Sequence, residues 1–354
     1  MSNGDSCSSP EWTYGGSKVH PVLVSHAPVE STPSQPGSYA EKDVVFNITW
    51  TGDVYHHLRY FLGSLLAHTD ARFRYLANSC SPESVRAMKE FAARNPDRVI
   101  EVMEVSPEGT MIAHGTAIDM VLRERDDGPF LAFIDCDIKA RGPFLSEFLT
   151  GLEEADAITS GKEVWIDSNV QPADHPGVDG QYFFRSDGFV YGSPHMAIYH
   201  RQPLIDALDR FGVDFSVSGM RKMPESTWDH LVEQGFKMLA FDTGKVANIL
   251  LQSNGSSLIH REHENLVHIG GLSHYLAPPE WDKHESPTGE PTWTTWKGMT
   301  PRSQVARYAA DAMRAVLAGE SAPDLPPDLD ASMRAKLELV RDEVVDMIRN
   351  PGPV

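Results

Sequence analysis

Between residues 43 and 138 the sequence alternates short apolar segments with amphipathic ones, and this alternation limits the possible folds more than any other feature. Val44–Trp50 and Phe73–Ser79 have the length and the β-branched and aromatic residues of strands. His56–Thr69 and Ser81–Asn95, which follow them, carry apolar residues at helical spacing. Strands that alternate with helices of this length predict an α/β fold, with a mostly parallel sheet and helices on its faces.

The alternation continues with a strand at Val99–Val105, a helix at His114–Arg125 and a strand at Phe130–Ile138. Beyond residue 142 the apolar segments become shorter and less regular. Two further helices, Pro301–Ala318 and Asp330–Asn350, are predicted near the end of the chain.

The strongest chemical signal lies at the end of the strand that begins at Phe130. An apolar run ends abruptly there in Asp135-Cys136-Asp137. Ligands bind at the carboxyl ends of parallel strands, so both carboxylates are expected at a binding edge. Carboxylate oxygens favour Mg²⁺ or Mn²⁺. The same spelling recurs at Asp328-Leu329-Asp330, but there it precedes a helix, and an N-cap is the expected role.

A second signal is the segment His268-Ile269-Gly270-Gly271. Adjacent glycines let backbone N–H groups approach a phosphate closely, and an imidazole just before them could complete a metal shell. A lone histidine before a glycine turn is more often structural, so the assignment depends on Asp135 and Asp137. Together these residues would form a metal-bridged pyrophosphate site, in which the metal neutralises a leaving nucleoside diphosphate.

In combination these features resemble the GT-A-fold glycosyltransferases. Three features match that family: the βαβ units from Val44 to Asp137, the helix HGTAIDMVL before the strand that ends in Asp-Cys-Asp, and the late His-x-Gly-Gly. The resemblance spans residues 43–300 and implies a Rossmann-like, mostly parallel sheet with flanking helices. It also implies a nucleotide-sugar donor and a divalent metal.

The resemblance suggests how the chain is divided. Residues 43–300 would be the catalytic domain, with a nucleotide-sugar half at 43–140 and an acceptor half at 141–300. Residues 1–42 would be a flexible N-terminal arm, and 301–354 a helical C-terminal extension.

Roles for individual residues follow from the resemblance as well. Asp137 would be the direct metal ligand and His268 the third protein ligand, while Asp135 would contact the donor sugar or ribose or help to hold the metal. The residues that would bind the donor are Thr49, Trp50, Thr51, Asn78, His114, Asp135, Gly270 and Gly271. For Trp50, packing in the core is an equally good alternative.

The chain departs from the family-2 pattern in two places. Asn78 stands where an acid often reads the base, and there is no QxxRW box. Recognition of uridine is therefore not secured. A histidine as C-terminal metal ligand resembles glycogenin-like enzymes, which retain stereochemistry, so inversion and retention both stay open.

An inverting enzyme needs a general base to deprotonate the acceptor hydroxyl. In the GT-A pattern this acid lies near a helix start after the acceptor loop, where the present chain has Met223–His230. Asp229 is the first candidate, Glu225 the second and Asp242 the third. Alternatively, Ser226 and Asp229 form a capping box at that helix start. A retaining enzyme would need none of the three acids as a base.

The predicted strand pair at 189–201 carries or adjoins further polar side chains. They could face the acceptor, but a solvated or hydrogen-bonded structural role is expected for each. These residues are Asp187, Tyr191, His195 and His200.

Charge and composition limit the partners. The formal net charge of −19 disfavours nucleic acid and anionic membrane surfaces. No apolar run approaches the roughly 18–20 residues of a membrane span. The 3 cysteines show no CxxC spacing, which fits a reducing cytoplasm. We expect a cytoplasmic enzyme that binds Mn²⁺ or Mg²⁺, a UDP-sugar in preference to a GDP-sugar, and a small-molecule or natural-product acceptor.

Two other functions are considered. A nucleotidyltransferase on a similar sheet would need a glycine-rich loop near the first strand, where ITWTGDVYHH has a single glycine. A non-catalytic scaffold that binds carbohydrate or a partner would have no need of the paired acids and His268.

The last predicted helix has one apolar stripe, at alternating steps of four and three residues. We expect this stripe to pack on the parent domain, and a homodimer through the C-terminal helices is the alternative. The stripe consists of Met333, Leu337, Val340, Val344 and Met347.

Overall fold

The computed structural model describes residues 39–171, 178–179, 182–192, 195–217, 223–236, 240–276 and 300–353, together with two short strands nearer the N-terminus. Nearly all of the predicted arm at 1–42 therefore lies outside the described residues. The strands are β1 (Thr13–Tyr14), β2 (Ser17–Lys18), β3 (Val45–Thr51), β4 (Arg72–Asn78), β5 (Val99–Ser106), β6 (Phe130–Ile134), β7 (Ile138–Ala140), β8 (Ala157–Ser160), β9 (Val170–Gln171), β10 (Val178–Asp179), β11 (Phe184–Arg185), β12 (Met196–His200), β13 (Ala240–Phe241), β14 (Leu258–His260) and β15 (Leu266–His268).

The helices cover the segments where the sequence predicted them before residue 126 and after residue 300. They are α1 (Tyr55–His68), α2 (Pro82–Arg94), α3 (His114–Glu124), α4 (Leu145–Gly151), α5 (Arg201–Phe211), α6 (Glu225–Glu233), α7 (Lys245–Ser253), α8 (Ser273–Leu276), α9 (Pro301–Leu317) and α10 (Ala331–Arg349). Within the described residues, no helix combines the length and the apolar character needed to span a bilayer.

The central sheet has seven strands in the order β14-β8-β12-β6-β3-β4-β5. β3 to β6 are mutually parallel, and β8 and β14 point the same way. β12 alone runs against them, pairing antiparallel with both β6 and β8. The predicted α/β fold with a mostly parallel sheet and flanking helices is therefore confirmed, and this is the architecture that the GT-A resemblance implies.

This strand arrangement gathers many chain segments at one edge of the sheet. β3, β4, β6 and β8 end there, at Thr51, Asn78, Ile134 and Ser160. Because β12 is reversed, it begins at the same edge, with Met196 opposite both Ile134 and Ser160. Residues that follow the parallel strands and the residue that precedes β12 are thus brought close together.

Both faces of the sheet are covered by helices. Side chains such as Phe46 and Trp50 lie in one core with residues of α1, α2, α9 and α10. Side chains such as Leu76 and Phe133 lie in the other, with residues of α3, α5 and α7. The halves 43–140 and 141–300 share this single sheet, and the helical extension adds to the first core.

The apolar stripe of α10 is buried within the chain, as its preferred interpretation predicted. All five side chains lie in the core that also contains residues of α1 and α9. These side chains are therefore occupied in the monomer, and a homodimer through the C-terminal helices stays a prediction.

Ion pairs also connect α10 to β7 and to the residue that follows it. The buried Lys139 of β7 lies 2.8 Å from Glu343 Oε2 and 2.7 Å from Asp346 Oδ2. Arg141 pairs with Glu343 as well. Lys139 is two residues from Asp137, so the position of α10 is linked to that of the acidic segment after β6.

Of three local predictions, one is confirmed by the structure and two are wrong. The strand that was predicted to reach Ile138 ends at Ile134, because the acidic residues form a turn in which Ile138 N–H donates to Asp135 O at 3.3 Å. The N-cap prediction for Asp330 is confirmed, since its side chain accepts from Met333 N–H at 2.8 Å. The capping-box alternative is wrong, because α6 begins after Pro224 and Ser226 lies inside its first turn.

The buried guanidinium of Arg74 joins the neighbouring strands β3, β4 and β5. Arg74 of β4 is 2% exposed and donates to Glu101 at 2.6 Å and to both oxygens of Asp127 at 2.5 and 2.8 Å. It also donates to Asn47 Oδ1 at 3.2 Å. If Arg74 is removed, Asp127 is left without its cation, whereas Glu101 keeps its ion pair with Arg125.

We predict that Arg74→Leu lowers the free energy of unfolding by roughly 3 kcal/mol, since it leaves the largely buried Asp127 without the cation that binds both its oxygens. Lys89→Ala is the control, because the Lys89–Glu104 pair is exposed at 56% and 54% and such pairs contribute only about 0–1 kcal/mol. Urea denaturation of both variants measures the difference. Equal losses would show that Arg74 contributes no more than a surface pair.

Candidate metal centre

Asp135 and Asp137 directly follow β6 at the carboxyl edge of the sheet. Asp135 N–H donates to His195 O at 2.7 Å, which continues the β6–β12 pairing by one residue. The turn then leads into β7, which leaves the central sheet and pairs antiparallel with β15, so that Ile138 faces His268. This exchange of sheets brings the acids against a histidine 131 residues further along the chain.

Every polar side-chain atom of the buried pair Asp137–His268 has a partner. Asp137 Oδ1 lies 3.1 Å from His268 Nε2, and Asp137 Oδ2 accepts from Leu272 N–H at 3.1 Å. His268 Nδ1 lies 2.6 Å from the backbone oxygen of Gly161. A carbonyl only accepts, so Nδ1 carries a proton and Nε2 faces the carboxylates.

Asp135 contacts two histidines. Its Oδ2 lies 2.9 Å from His195 Nδ1 and 3.6 Å from His268 Nε2. The two imidazole rings have centroids 4.5 Å apart. Potential ligand atoms of Asp135, His195 and His268 all lie within 4.8 Å of one another.

Glu163 closes the cluster on the side away from Asp135. It follows the turn at Gly161, where φ is +97°, and it is 5% exposed. Its Oε1 lies 3.1 Å from His195 Nε2, although not along the direction of a straight hydrogen bond. Its Oε2 is buried and finds no hydrogen-bond partner among the described residues.

The acids and imidazoles shift one another's pKa. Burial alone would raise the pKa of Asp137 and Glu163, but the neighbouring imidazoles outweigh it, lowering the first and bringing the second to about 2. Burial would lower the pKa of His195 and His268, but the adjacent carboxylates raise both. The same negative charge that holds protons on the rings would attract a divalent cation in their place.

The donor atoms suit such a cation in type and spacing. Carboxylate oxygens and imidazole nitrogens are both common ligands of divalent metals. Two adjacent ligands of an octahedral ion with bonds of about 2.1 Å lie about 3 Å apart. Asp137 Oδ1–His268 Nε2 at 3.1 Å and Asp135 Oδ2–His195 Nδ1 at 2.9 Å match this separation. The residues present therefore fit the metal that the resemblance implies.

The glycine pair after His268 is required by the backbone. Gly270 and Gly271 have φ of +80° and +77°, a conformation that strains other residues. A Cβ on Gly270 would lie 2.5 Å from Glu163 Cγ, and one on Gly271 would lie 2.9 Å from Arg302 Nε. The turn thus admits Glu163 to the cluster and aims Leu272 N–H at Asp137. Contact between the glycines and a phosphate stays a prediction.

The predicted donor-binding residues divide between two faces of the sheet. Trp50 is fully buried, and its ring packs edge-on against Tyr55 and Tyr75 at 5.0 and 5.6 Å, so the core-packing alternative describes it. Thr49 and Thr51 alternate with it and are partly exposed. The Thr49 hydroxyl is buried and unpartnered among the described residues, which leaves it available for a ligand.

Asn78 and His114 lie at the same edge. The Asn78 amide donates to Ile112 O at 2.9 Å and accepts from Ile112 N–H at 3.0 Å and Ser106 Oγ at 2.8 Å. The Asn78 side chain therefore fixes the loop before α3, and it would affect nucleotide binding chiefly by positioning that loop. Burial lowers the pKa of His114, and the nearby Asp135 and Asp242 oppose this shift.

The three candidate bases differ in their surroundings. Asp242 is half-buried and close enough to His114 to influence its pKa. The neighbouring Thr243 contacts the start of α3, as a Cβ on Gly115 would lie 3.2 Å from its methyl group. Asp229 and Glu225 are exposed on α6, and no contact within the described residues joins them to the acid–histidine cluster. Of the three, the structure brings only Asp242 near the predicted site.

Sequence reasoning missed two members of the cluster. His195 was assigned a structural or acceptor-facing role, and Glu163 was assigned no role. His195 reaches the site only because β12 is antiparallel, which no local pattern reveals. Gly161 was the available signal for Glu163, since a glycine inside an apolar strand often marks a turn.

Comparison with known proteins finds no matching protein-family model and no matching curated protein. Among solved structures, the chain is similar to the mannosyltransferase PcManGT from Pyrobaculum calidifontis in complex with GDP-Man and Mn²⁺. The two share 10% identity and a TM-score of 0.41 over 88% of this chain and 74% of that one.

Two other similar structures cover larger parts of their own chains. One is S. aureus TarS 1–349, with 13% identity and a TM-score of 0.40 over 86% of this chain and 91% of that one. The other is the galactosyltransferase LgtC in complex with donor and acceptor sugar analogs, with 14% identity and a TM-score of 0.38 over 82% and 100%. These similarities are distant, and the function proposed below rests on the site itself.

We predict that Gly270→Ala destabilises the protein more than Gly109→Ala. Both positions have nearly the same positive φ, +80° and +76°, so both variants lose about 1–2 kcal/mol to backbone strain. Only at Gly270 does the new methyl group meet Glu163, which adds about 1–3 kcal/mol of overpacking. Chemical denaturation gives both values. Equal losses would mean that Glu163 moves aside without cost.

Proposed function

We propose that the protein is a metal-dependent glycosyltransferase, which moves a sugar from a nucleoside diphosphate sugar to a hydroxyl group of a small-molecule acceptor. The convergence of Asp135, Asp137 and His268 at the carboxyl edge of the sheet is the observation that supports this function. These residues were singled out from their sequence context alone, and His268 Nε2 lies 3.1 Å from Asp137 Oδ1 and 3.6 Å from Asp135 Oδ2.

Asp137 and His268 would hold the metal, with Asp135 as a further ligand or as the contact to the donor. A bound divalent metal would stabilise the negative charge of the departing nucleoside diphosphate. Asp137 is already fixed by Leu272 N–H and by the His268 ring, so its free lone pairs have a defined direction. This preorganisation favours the developing charge over the ground state.

The donor would lie along the edge formed by the ends of β3, β4 and β6. Thr49 and Thr51 offer hydroxyl groups there, and the loop that Asn78 holds would form one wall of the nucleoside pocket. His114 at the start of α3 is close enough to Asp135 for the carboxylate to influence its pKa. Both UDP-sugars and GDP-sugars are candidate donors, with a UDP-sugar as the first choice.

Asp242 would be the base in an inverting reaction. It would accept the proton of the acceptor hydroxyl while that oxygen bonds to the anomeric carbon and the bond to the diphosphate breaks. Its place beside His114 and the start of α3 supports it over Asp229 and Glu225, which are exposed on α6. In a retaining reaction Asp242 would instead contact the acceptor without taking its proton.

A thermal-shift series with UDP, GDP and their sugars, each with and without Mn²⁺, tests the function. We expect stabilisation by one nucleotide only when Mn²⁺ is present, by about 2.7 kcal/mol at a hundredfold excess over Kd. Asp137→Asn and His268→Asn should abolish this shift and donor turnover.

Asp328→Asn provides a matched control, because Asp328 has the same DxD spelling but is exposed ahead of α10. It should keep the full shift. The absence of a shift with every nucleotide and metal would contradict the proposal and favour a binding scaffold.

For the base, Asp242→Asn should lower kcat at least about a hundredfold, since general-base catalysis typically contributes that much or more. Glu233→Gln, an exposed acid on α6, is the control and should keep wild-type kcat. Loss of transfer in Asp229→Asn with an active Asp242→Asn would move the base to α6. Single-turnover kinetics with a confirmed acceptor makes the comparison.

A further inference from the structure

We propose that His195 is a metal ligand through Nδ1 and that Glu163 is its positioning residue, so that the centre holds two imidazole nitrogens and favours a first-row transition metal over Mg²⁺. This inference rests on the metal centre of the proposed function and deepens it. It assigns His195 and Glu163, which the sequence did not connect with a metal.

The His268 ring is held in the tautomer that a metal requires. Its Nδ1 lies 2.6 Å from the Gly161 carbonyl oxygen, which fixes the proton on that nitrogen. Its Nε2 therefore faces Asp137 and Asp135, at 3.1 and 3.6 Å.

The His195 ring is held in the complementary way. Its Nδ1 faces Asp135 Oδ2 at 2.9 Å, and its Nε2 faces the buried Glu163 Oε1 at 3.1 Å. A carboxylate next to the imidazole nitrogen that does not bind the metal keeps the proton on that nitrogen and orients the ring toward the metal. Each ring thus directs one nitrogen toward Asp135. The other nitrogen faces an acceptor, which is Gly161 O for His268 and Glu163 Oε1 for His195.

Glu163 is poorly satisfied by the protein alone. Its Oε2 is buried without a hydrogen-bond partner among the described residues, and its contact with His195 is bent. Such a buried carboxylate is costly unless a full charge faces it. A cation at His195 Nδ1 would supply that charge through the ring, in place of the proton that the neighbouring carboxylates otherwise hold there. The need for glycine at position 270, where a Cβ would strike Glu163, shows that the fold makes room for this acid.

The donor set determines which metal is preferred. Mg²⁺ binds oxygen ligands and holds its waters tightly, whereas imidazole suits transition metals such as Zn²⁺, Fe²⁺ and Ni²⁺. With two imidazoles beside Asp135 and Asp137, the centre is richer in nitrogen than a site made from carboxylates. We therefore expect first-row transition metals to bind more tightly than Mg²⁺, and Mn²⁺ serves as the paramagnetic probe of the site.

Pulsed electron paramagnetic resonance of Mn²⁺ bound to the full chain, without nucleotide, counts the directly coordinated histidine nitrogens. The wild-type protein should show two, as checked by ¹⁵N-histidine labelling, and His195→Asn and His268→Asn one each. His200→Asn is the matched control, because His200 lies at the other end of β12 and contacts Leu152 O. It should keep both nitrogens. A wild-type signal from fewer than two nitrogens, or an unchanged signal in His195→Asn, would overturn the inference.

The positioning role of Glu163 is tested by a pair of variants in Mn²⁺ titrations. Glu163→Ala should weaken Mn²⁺ binding about 10–100-fold, the usual effect of removing a carboxylate behind a ligating histidine. Glu163→Gln keeps an acceptor for His195 and should recover most of the affinity. Mg²⁺ affinity should change less in both variants. Equal loss of Mn²⁺ and Mg²⁺ binding, or no loss in Glu163→Ala, would remove Glu163 from this role.

Because no nucleotide is used, these results separate the two proposals. Two coordinated nitrogens without any nucleotide-dependent stabilisation would contradict the transferase and leave the metal assignment in place. Metal-dependent nucleotide binding with a single coordinated nitrogen would support the transferase and remove His195 from the centre.

Discussion

The buried carboxylate of Asp137 is the constraint on which the site depends. An acid at this depth is tolerated only with partners on both oxygens, and here the His268 ring and Leu272 N–H provide them. Both partners lie far along the chain and can reach Asp137 only if β7 leaves the main sheet to pair with β15. The burial of Asp137 therefore requires three features together, namely the departure of β7, the glycine turn and the position of His268.

The reversed strand β12 brings His195 into the acid–histidine cluster. In an all-parallel sheet the amino end of each strand lies at the edge away from the ligand. One antiparallel strand brings its amino end, with His195, to the ligand edge, beside the residues that follow β6 and β8. The site thus combines residues after two parallel strands with one residue before an antiparallel strand.

The sequence predicted the first half of the sheet well because its signals are local. β3 to β6 and α1 to α3 have apolar periodicity and clear ends, and each was found within a few residues of its predicted bounds. The acids after β6 could be recognised because a buried strand ended at them. His268 could be recognised by its glycines. The antiparallel course of β12 depends on pairing across the sheet, and no periodicity in residues 189–201 contains that information.

The same limit applies to the orientation of single side chains in α6 and β3. Ser226 and Asp229 have the spacing of a capping box, but Pro224 allows α6 to begin earlier and leaves both inside the helix. Trp50 has the position of a pocket residue, yet strand alternation turns it toward Tyr55 and Tyr75. In both cases the side that a residue faces was decided by its neighbours in space.

The Lys139 contacts with α10 have a consequence for how the protein matures on the ribosome. Lys139 Nζ reaches Glu343 O across 204 residues of sequence. At translation rates of about 5–20 residues per second, roughly 10–40 s pass between the synthesis of the two ends of this contact. Until then the lysine, two residues from Asp137, lacks the acids that neutralise it in the buried position. Asp135 and Asp137 therefore gain the support of α10 only after that helix has been made, later than β14, the last strand of the central sheet along the chain.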